Sequence, residues 1–555
     1  MIRNVAGLTL VLVFTACLIA SGKEPDAFGR NGMVVSVSPP ASEVGVSVLK
    51  QGGNAVDAAV ATAFALAVTY PAAGNIGGGG FMLVYPPGGE PNVIDYRETA
   101  PAAATADMFL RQKTTYAHNV VGVPGTVRGL GLAHQKYGKL PWKKLVEPAV
   151  ELAANGFVVD PWTAKSLNDL LAKSKNFPEL LRVFGKSDGS SWMAGDRLVQ
   201  PDLAQTLRLI ADGGADAFYS GKIADQIVAE MKSGNGLITH ADLQKYHAKE
   251  RKPIHGVYRG YDVFGPPPPS SGGICLVEML NILENFELKK EERWSPRTVH
   301  IVAEAMRRAY CDRARFLGDP DFTKIPDYLT TKEHARALAK SIDPAKATPS
   351  EQLAKEIPLA PESEETTHFS VIDKNGLAVS NTYTLEHSYG SKIVVRGAGF
   401  LLNNEMSDFN WKPGITDRKG AIGTAPNLVA PGKRMLSSQT PTIVARNGKP
   451  VLVTGSPGGR TIINTVLCVV INVVDFGMDV QSAVDAPRQH HQWFPDEIKF
   501  DRSAETERLV EPLKKLGYRV GFAKQGDAHS IWIDPATGRF HGAADKRIIG
   551  KAVGY

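Results

Sequence analysis

Pro361-Glu362-Ser363-Glu364-Glu365-Thr366-Thr367-His368-Phe369-Ser370-Val371-Ile372-Asp373 changes character in its middle. Its first five residues are proline, serine and acids, with nothing to bury, which is the composition of an exposed linker. From Thr367 onward β-formers dominate. Lys374-Asn375-Gly376 then gives an Asn-Gly hairpin signal before a second β-forming run, Leu377 to Leu385. The C-terminal third therefore begins as sheet, and the stretch from Asp343 to Glu365 is the best internal boundary. An acidic linker joined to a strand that opens on threonine is a favourable place for a chain break. Composition alone still reads Thr366 as ordinary strand, because threonine is β-branched.

Upstream, small and apolar residues recur at helical spacing from Ala41 to Lys50 and from Asn54 to Val68, which predicts two packed helices. Gly77-Gly78-Gly79-Gly80 leads into Phe81-Met82-Leu83-Val84-Tyr85, a turn entering a buried strand. No Gly-Lys-Ser or Gly-Lys-Thr follows, so these glycines predict close backbone packing rather than a nucleotide site. Residues 130 to 250 alternate helical segments with polar loops. Pro266 to Pro269 with Ser270-Ser271-Gly272-Gly273 forms a rigid turn before a helical pattern at Cys275 to Glu284.

With 555 residues and 43% hydrophobic content the chain can bury one large core or several smaller ones. Its 63 basic and 57 acidic residues leave a formal charge of +6 without a dense Lys/Arg block, which gives nucleic-acid binding no support. Cys17, Cys275, Cys311 and Cys468 lack the short paired spacing of zinc or redox sites. The N-terminus, Arg3 followed by the apolar run Val5 to Ala20 and then Ser21-Gly22, reads as a signal peptide over residues 1–22. Two other readings stay open: an uncleaved anchor, for which the run falls short of the ~20 residues a span needs, and a lipoprotein signal ending at Cys17. Export to the periplasm or the extracellular space, with or without a lipid anchor on Cys17, is the expectation.

The stretch Thr366 to Asp373, with Asn381-Thr382-Tyr383-Thr384, resembles the small-subunit start of the gamma-glutamyltransferase (glutathione hydrolase) family. The resemblance continues through Leu401 to Phe409, Leu436-Ser437-Ser438, Thr454-Gly455-Ser456-Pro457-Gly458-Gly459, Ala486-Pro487-Arg488 and Gly554-Tyr555. Upstream it includes Gly52 to Ala59, Asp95-Tyr96-Arg97-Glu98 and Pro267 to Gly273, so nearly all of the chain after about residue 29 is covered.

The resemblance implies an α+β Ntn-hydrolase fold, a four-layer αββα sandwich built from two subunits that one precursor generates by autocleavage. Cleavage between Glu365 and Thr366 would leave a large subunit, 23–365, paired with a small catalytic subunit, 366–555. Thr366 would then be both nucleophile and new N-terminus. A free α-amine titrates near 7.7–8.0 and can take the proton of its own hydroxyl, so cleavage creates the base. Carried over by position, Thr384 would hold the Thr366 amine and hydroxyl, and the N–H groups of Gly458 and Gly459 would form the oxyanion hole. Arg97, Ser437 and Ser438 match the binders of a glutamyl carboxylate, which suits the guanidinium fork. Glu405 and Asp408 match the ammonium binders; their spacing lets them converge on one face of a turn. The implied donors are glutathione and other γ-glutamyl compounds, the implied acceptors water, amino acids or peptides. Neither a cofactor nor a metal is expected.

Two positions depart from the family. Glu386 stands where many members have asparagine beside the ammonium, which adds a third carboxylate. Lys419 stands where some bacterial relatives carry a lid tyrosine, within a Gly-rich segment from Asn410 to Pro426. Ser456 lacks the spacing of a Gly-x-Ser-x-Gly nucleophile. His490 and His491, as neighbours on a strand, point to opposite faces and read as structural. The retained set Thr366, Thr384, Gly458 and Gly459 argues against an inactive binding protein. Intact-mass measurement of the purified protein is expected to find two fragments, one running from Thr366 to Tyr555, and a single uncleaved chain for Thr366→Ala. A wild-type chain that stays whole and active would refute the scheme.

Overall fold

The computed structural model describes residues 27–354, 357 and 367–555. The signal segment with Cys17 and the cleavage-site residues Glu365 and Thr366 therefore lie outside the described residues. Phe369 and Val371 alternate with His368, Ser370 and Ile372 along the strand Thr367–Asp373, and this alternation organises the molecule. Phe369 and Val371 join Val56, Ala59, Ala63 and Phe64 of the helix Ala55–Thr69 in one core cluster. Ile372 instead joins Met33, Phe81, Leu83, Ile443, Val453 and Ile531 in a second cluster between two sheets. Beyond the second sheet, Val444 and Leu452 pack on Leu276, Met306 and Val466 from the helices Gly272–Leu283, Pro296–Phe316 and Thr461–Val474. The layers are helix, sheet, sheet, helix, which is the αββα sandwich expected.

The first sheet has the order Lys551–Gly554, Gly32–Ser36, Thr367–Asp373, Ala378–Thr384, Gly79–Tyr85, Asn92–Asp95 and Lys249–Arg251, all antiparallel. The second runs Ala27–Gly29, Phe540–Ala544, His529–Ile533, Lys449–Thr454, Thr442–Arg446, Tyr261–Gly265 and Ile254–Tyr258. Strands from before and after the acidic linker interleave in both sheets, so neither half of the chain closes a sheet alone. At one end the inter-sheet space is polar. There Ser370 Oγ donates to His529 O at 2.8 Å, and Ser380 Oγ donates to Thr454 O at 2.9 Å while accepting from Thr442 N at 3.0 Å. His368 bonds Thr382 Oγ1 at 2.8 Å and Ser370 Oγ at 3.1 Å. Burial, and then the neighbouring His529, push its pKa far down, so it stays neutral.

The two N-terminal helices form as predicted, at Pro39–Lys50 and Ala55–Thr69. Asn54 caps the second by accepting from Asp57 N, while the Asp57 carboxylate accepts from Asn54 N, a reciprocal capping box. The described part of the predicted linker departs from expectation. Residues 343–354 are docked rather than free: Trp493 Nε1 donates to Ser350 O at 2.8 Å, and Ser350 Oγ donates to Trp493 O at 2.6 Å. Ala347 N also donates to Leu516 O at 2.7 Å. Hydrogen bonds hold this stretch where apolar content could not, which is why composition missed it. Among the described residues no helix is long and apolar enough to cross a membrane.

The glycine run is a matter of space. A Cβ on Gly78 would stand 1.9 Å from Thr384 O and one on Gly77 2.2 Å from Leu401 O. Gly78→Ala is expected to cost roughly 1–3 kcal/mol by overpacking, read from denaturant midpoints, and to impair maturation; an unchanged midpoint would show that the loop can yield.

Candidate active site

Strand pairing fixes the floor of the site. Thr367 pairs with Tyr383, and the next residue, Thr384, pairs with Gly79, so the start of one strand, the end of its neighbour and the glycine loop meet. Asn75 ties them together. Its Nδ2 donates to Thr384 O at 2.9 Å, and its Oδ1 accepts from Gly78 N at 2.9 Å and Thr126 Oγ1 at 2.7 Å. Thr384 Oγ1 accepts from Glu386 N at 2.7 Å, turning the chain sharply at the strand end. Glu386 adopts φ +76°, a left-handed conformation costly for a residue with a Cβ, and the turn carries its side chain to a cleft.

That cleft is lined by Arg97, Glu386, Glu405, Asp408, Ser437, Ser438 and Gly459 among others. Seven of the expected site residues thus converge from five separate stretches of sequence. Thr384 and Gly458 stand beside this lining, while Glu365 and Thr366 lie outside the described residues. Arg97, 1% exposed, follows the strand Asn92–Asp95 and pairs through Nη1 with Glu405 and through Nη2 with Asp408. Its Nε donates to Met435 O at 3.3 Å. Burial works against the guanidinium charge, but Glu405, Asp408 and Glu98 outweigh it and hold Arg97 protonated. Glu405 and Asp408 occupy one short 3₁₀ turn, as their spacing predicted. Burial pushes the Glu405 carboxyl well above the usual range, against the pull of Arg97.

Asn403, which the sequence reading did not single out as a site residue, positions that turn. Its Oδ1 accepts from Gly122 N and Glu405 N at 2.9 and 3.0 Å, and its Nδ2 donates to Gly77 O and Gly122 O at 2.9 and 2.8 Å. All four hydrogen-bonding positions of the amide are filled, so Glu405 is locked to the glycine loop.

On the opposite wall, Ser271 of the proline-serine turn donates through N and Oγ to Ser437 O at 2.8 and 2.6 Å. Arg313 donates to Ser271 Oγ at 2.9 Å and to Ser438 Oγ at 3.0 Å. Gly458 and Gly459, with φ +122° and +53°, lead into the helix Thr461–Val474, whose N-terminal end carries positive partial charge toward the cleft. A Cβ on Gly458 would meet Thr461 Oγ1 at 2.5 Å. Arg460 also lines the cleft and donates to Gly420 O at 2.6 Å; burial, and then the charge of Arg313, push it down to about 9. Arg313 and Arg460 were not singled out either. For Arg313 the available signal was the arginine-rich run of the helix Pro296–Phe316, which is buried along most of its length; for Arg460 it was its place directly after Gly458-Gly459.

The segment from Asn410 to Pro426 does border the cleft, through Asn410, Ile422 and Thr424, while Lys419 is exposed and is not part of this lining. Ser456 Oγ donates to Pro457 O at 2.7 Å. His490 bonds Asn464 and Gln492, His491 bonds Asp496, and burial holds both imidazoles down, to about 3 and about 4. They are structural, as expected.

Two stacked sheets between helical layers, with a cleft at their rim beside a glycine-led helix N-terminus, form the architecture of the Ntn hydrolases. A family model described as Gamma-glutamyltranspeptidase matches residues 41–555, and the chain belongs to that family. It is 48% identical over 547 residues to a glutathione hydrolase proenzyme of Escherichia coli, covering 96% of this chain and 93% of that one. A cephalosporin acylase structure from Bacillus halodurans aligns with a TM-score of 0.86 at 27% identity, covering 98% of this chain and 99% of that chain. The Helicobacter pylori gamma-glutamyltranspeptidase structure aligns with a TM-score of 0.56 at 42% identity, covering 57% of this chain and 93% of that chain.

Behind Arg97, both oxygens of Glu98 are buried without a hydrogen-bond partner, and burial pushes this carboxyl from 4.5 up to about 8. An acid raised in the folded state keeps a proton that the unfolded chain has released. Between those two values stability therefore falls as pH rises. The melting temperature of wild type is expected to drop from about pH 5 to about pH 8.5 relative to Glu98→Gln; parallel curves would overturn this assignment.

Proposed function

We propose that the chain is the precursor of a γ-glutamyl hydrolase and transferase, cleaved before Thr366 into the segments 23–365 and 366–555. The observation that carries the reading is the juxtaposition, in one cleft, of Arg97 with Glu405 and Asp408. An amino-acid head group bears one carboxylate and one ammonium, and this set offers both complements within a few ångströms. In the proposed mode the substrate carboxylate takes Arg97 with Ser437 and Ser438, and its ammonium takes Glu405, Asp408 and Glu386. The two charges of the ligand thereby replace the internal ion pairs.

Thr366 Oγ attacks the γ-amide carbonyl as its own α-amine accepts the proton, with Thr384 orienting both groups. The oxyanion of the tetrahedral intermediate lies against the N–H groups of Gly458 and Gly459, aided by the helix behind them. The protonated amine leaves, and a γ-glutamyl ester remains on Thr366. Water, or the amine of an amino acid or peptide, then attacks the ester, and Thr366 Oγ recovers its proton. In the precursor the same hydroxyl attacks the Glu365 carbonyl, giving an ester that water opens. Glutathione is the leading donor, which is also what the Escherichia coli relative's name states for that protein. We further read residues 1–22 as an export signal, on their charge and apolar run, which places the mature enzyme in the periplasm or outside the cell.

Release of a chromogenic amine from γ-glutamyl and glutaryl anilides tests the reading. Wild type is expected to prefer the γ-glutamyl compound, and Asp408→Asn to lower its kcat/KM by roughly 30-fold or more while sparing glutaryl turnover. Equal or faster glutaryl turnover by wild type would reject it.

A further inference from the structure

Glu278 lies in the helix Gly272–Leu283, every residue of which is buried. It is 1% exposed, and neither carboxylate oxygen has a hydrogen-bond partner. A carboxylate so placed is strongly disfavoured unless a proton or a cation compensates it. The helices Pro296–Phe316 and Lys332–Lys340 pack against this one and bring Asp312 and His334 beside it. Each of the three side chains offers one ligand atom, and these atoms lie within 4.8 Å of one another. His334 Nε2 stands 2.9 Å from Asp312 Oδ2, and Arg315 lies 3.6 Å from the other oxygen, Oδ1. None of the three lines the active-site cleft.

We propose that Glu278, Asp312 and His334 bind one divalent transition-metal ion, with Zn²⁺ the best match, and that this ion fastens three helices of the outer layer. One imidazole with two carboxylates is a donor set for zinc and its neighbours, whereas calcium and magnesium take oxygen alone. Zinc holds such atoms at about 2.0–2.2 Å in a tetrahedron, whose corners stand about 3.4 Å apart, so the ion would part His334 and Asp312 slightly from their 2.9 Å contact and draw Glu278 inward. His334 is 19% exposed, so the cluster opens to solvent on its side and water can complete the coordination. The ion's two charges would balance the two carboxylates. Asp312 precedes Arg313, which holds Ser271 and Ser438. The ion therefore braces the helix behind the cleft without entering the reaction.

The test uses untagged, matured protein stripped with a chelator. Zn²⁺ is titrated calorimetrically, and Co²⁺ is followed by visible absorbance. One equivalent per pair of segments 23–365 and 366–555, a rise in melting temperature and Co²⁺ ligand-field bands are expected. Binding and bands should be lost in Glu278→Gln and, on the more exposed helix, in His334→Ala, while γ-glutamyl hydrolysis by the stripped enzyme persists. No stoichiometric uptake by wild type, or uptake that survives both substitutions, overturns the proposal. So does a Glu278→Gln variant that melts higher than a wild type which takes up no metal, since that outcome assigns a shared proton between Glu278 and Asp312.

Discussion

The buried ion cluster of Arg97 with Glu405 and Asp408 is the constraint on which the site depends. A guanidinium with 1% exposure survives only because two carboxylates meet it, and those carboxylates come from a distant part of the chain. Asn403 then binds Glu405 to the glycine loop, and Asn75 binds the same loop to Thr384. A short polar chain thus runs from the charged wall of the cleft to the strand end. Displacing any member moves the charges relative to the floor.

The same logic explains how one chain can be cut and stay one body. In the first sheet, Gly32–Ser36 lies between Lys551–Gly554 and Thr367–Asp373, and Ala378–Thr384 pairs with Gly79–Tyr85. Strand pairing therefore crosses the acidic linker several times. Buried side chains and backbone hydrogen bonds, not the covalent connection, hold the two segments together. The polar bonds between sheets at Ser370 and Ser380 add a register that apolar packing alone would not enforce.

Much of this was legible from residue pattern. Small residues at helical spacing announced the helix Ala55–Thr69, Asn375-Gly376 announced the hairpin, and the lack of a lysine after Gly80 correctly left the glycines as packing residues. The Glu405 and Asp408 spacing announced a shared turn. Motif resemblance, not periodicity, supplied the rest of the site, because Arg97, Ser437 and Gly459 are individually unremarkable. Arg313, Arg460 and Asn403 escaped because their role lies in tertiary hydrogen bonds that local sequence does not encode. The docking of Ser350 on Trp493 escaped for the same reason: a polar segment satisfied by hydrogen bonds looks, residue by residue, like a solvated one.

The pairing of Arg97 with its acids also bears on selectivity in the proposed binding mode. Because the charges are already matched, a ligand gains affinity only by the difference between the pairs it makes and those it breaks. A carboxylate without an ammonium would draw Arg97 away and leave Glu405 and Asp408 facing each other, with Glu98 3.6 Å from the same guanidinium. A zwitterionic head replaces every partner it displaces. Discrimination of this kind arises from groups left unpaired rather than from contact area, and it grows as the site becomes drier. Glu386, held in a strained turn that lines the cleft, would add a third acid on the ammonium side in the same mode. In that mode it would make the empty site less comfortable and the occupied one more so, and would sharpen the preference for a ligand that carries both charges.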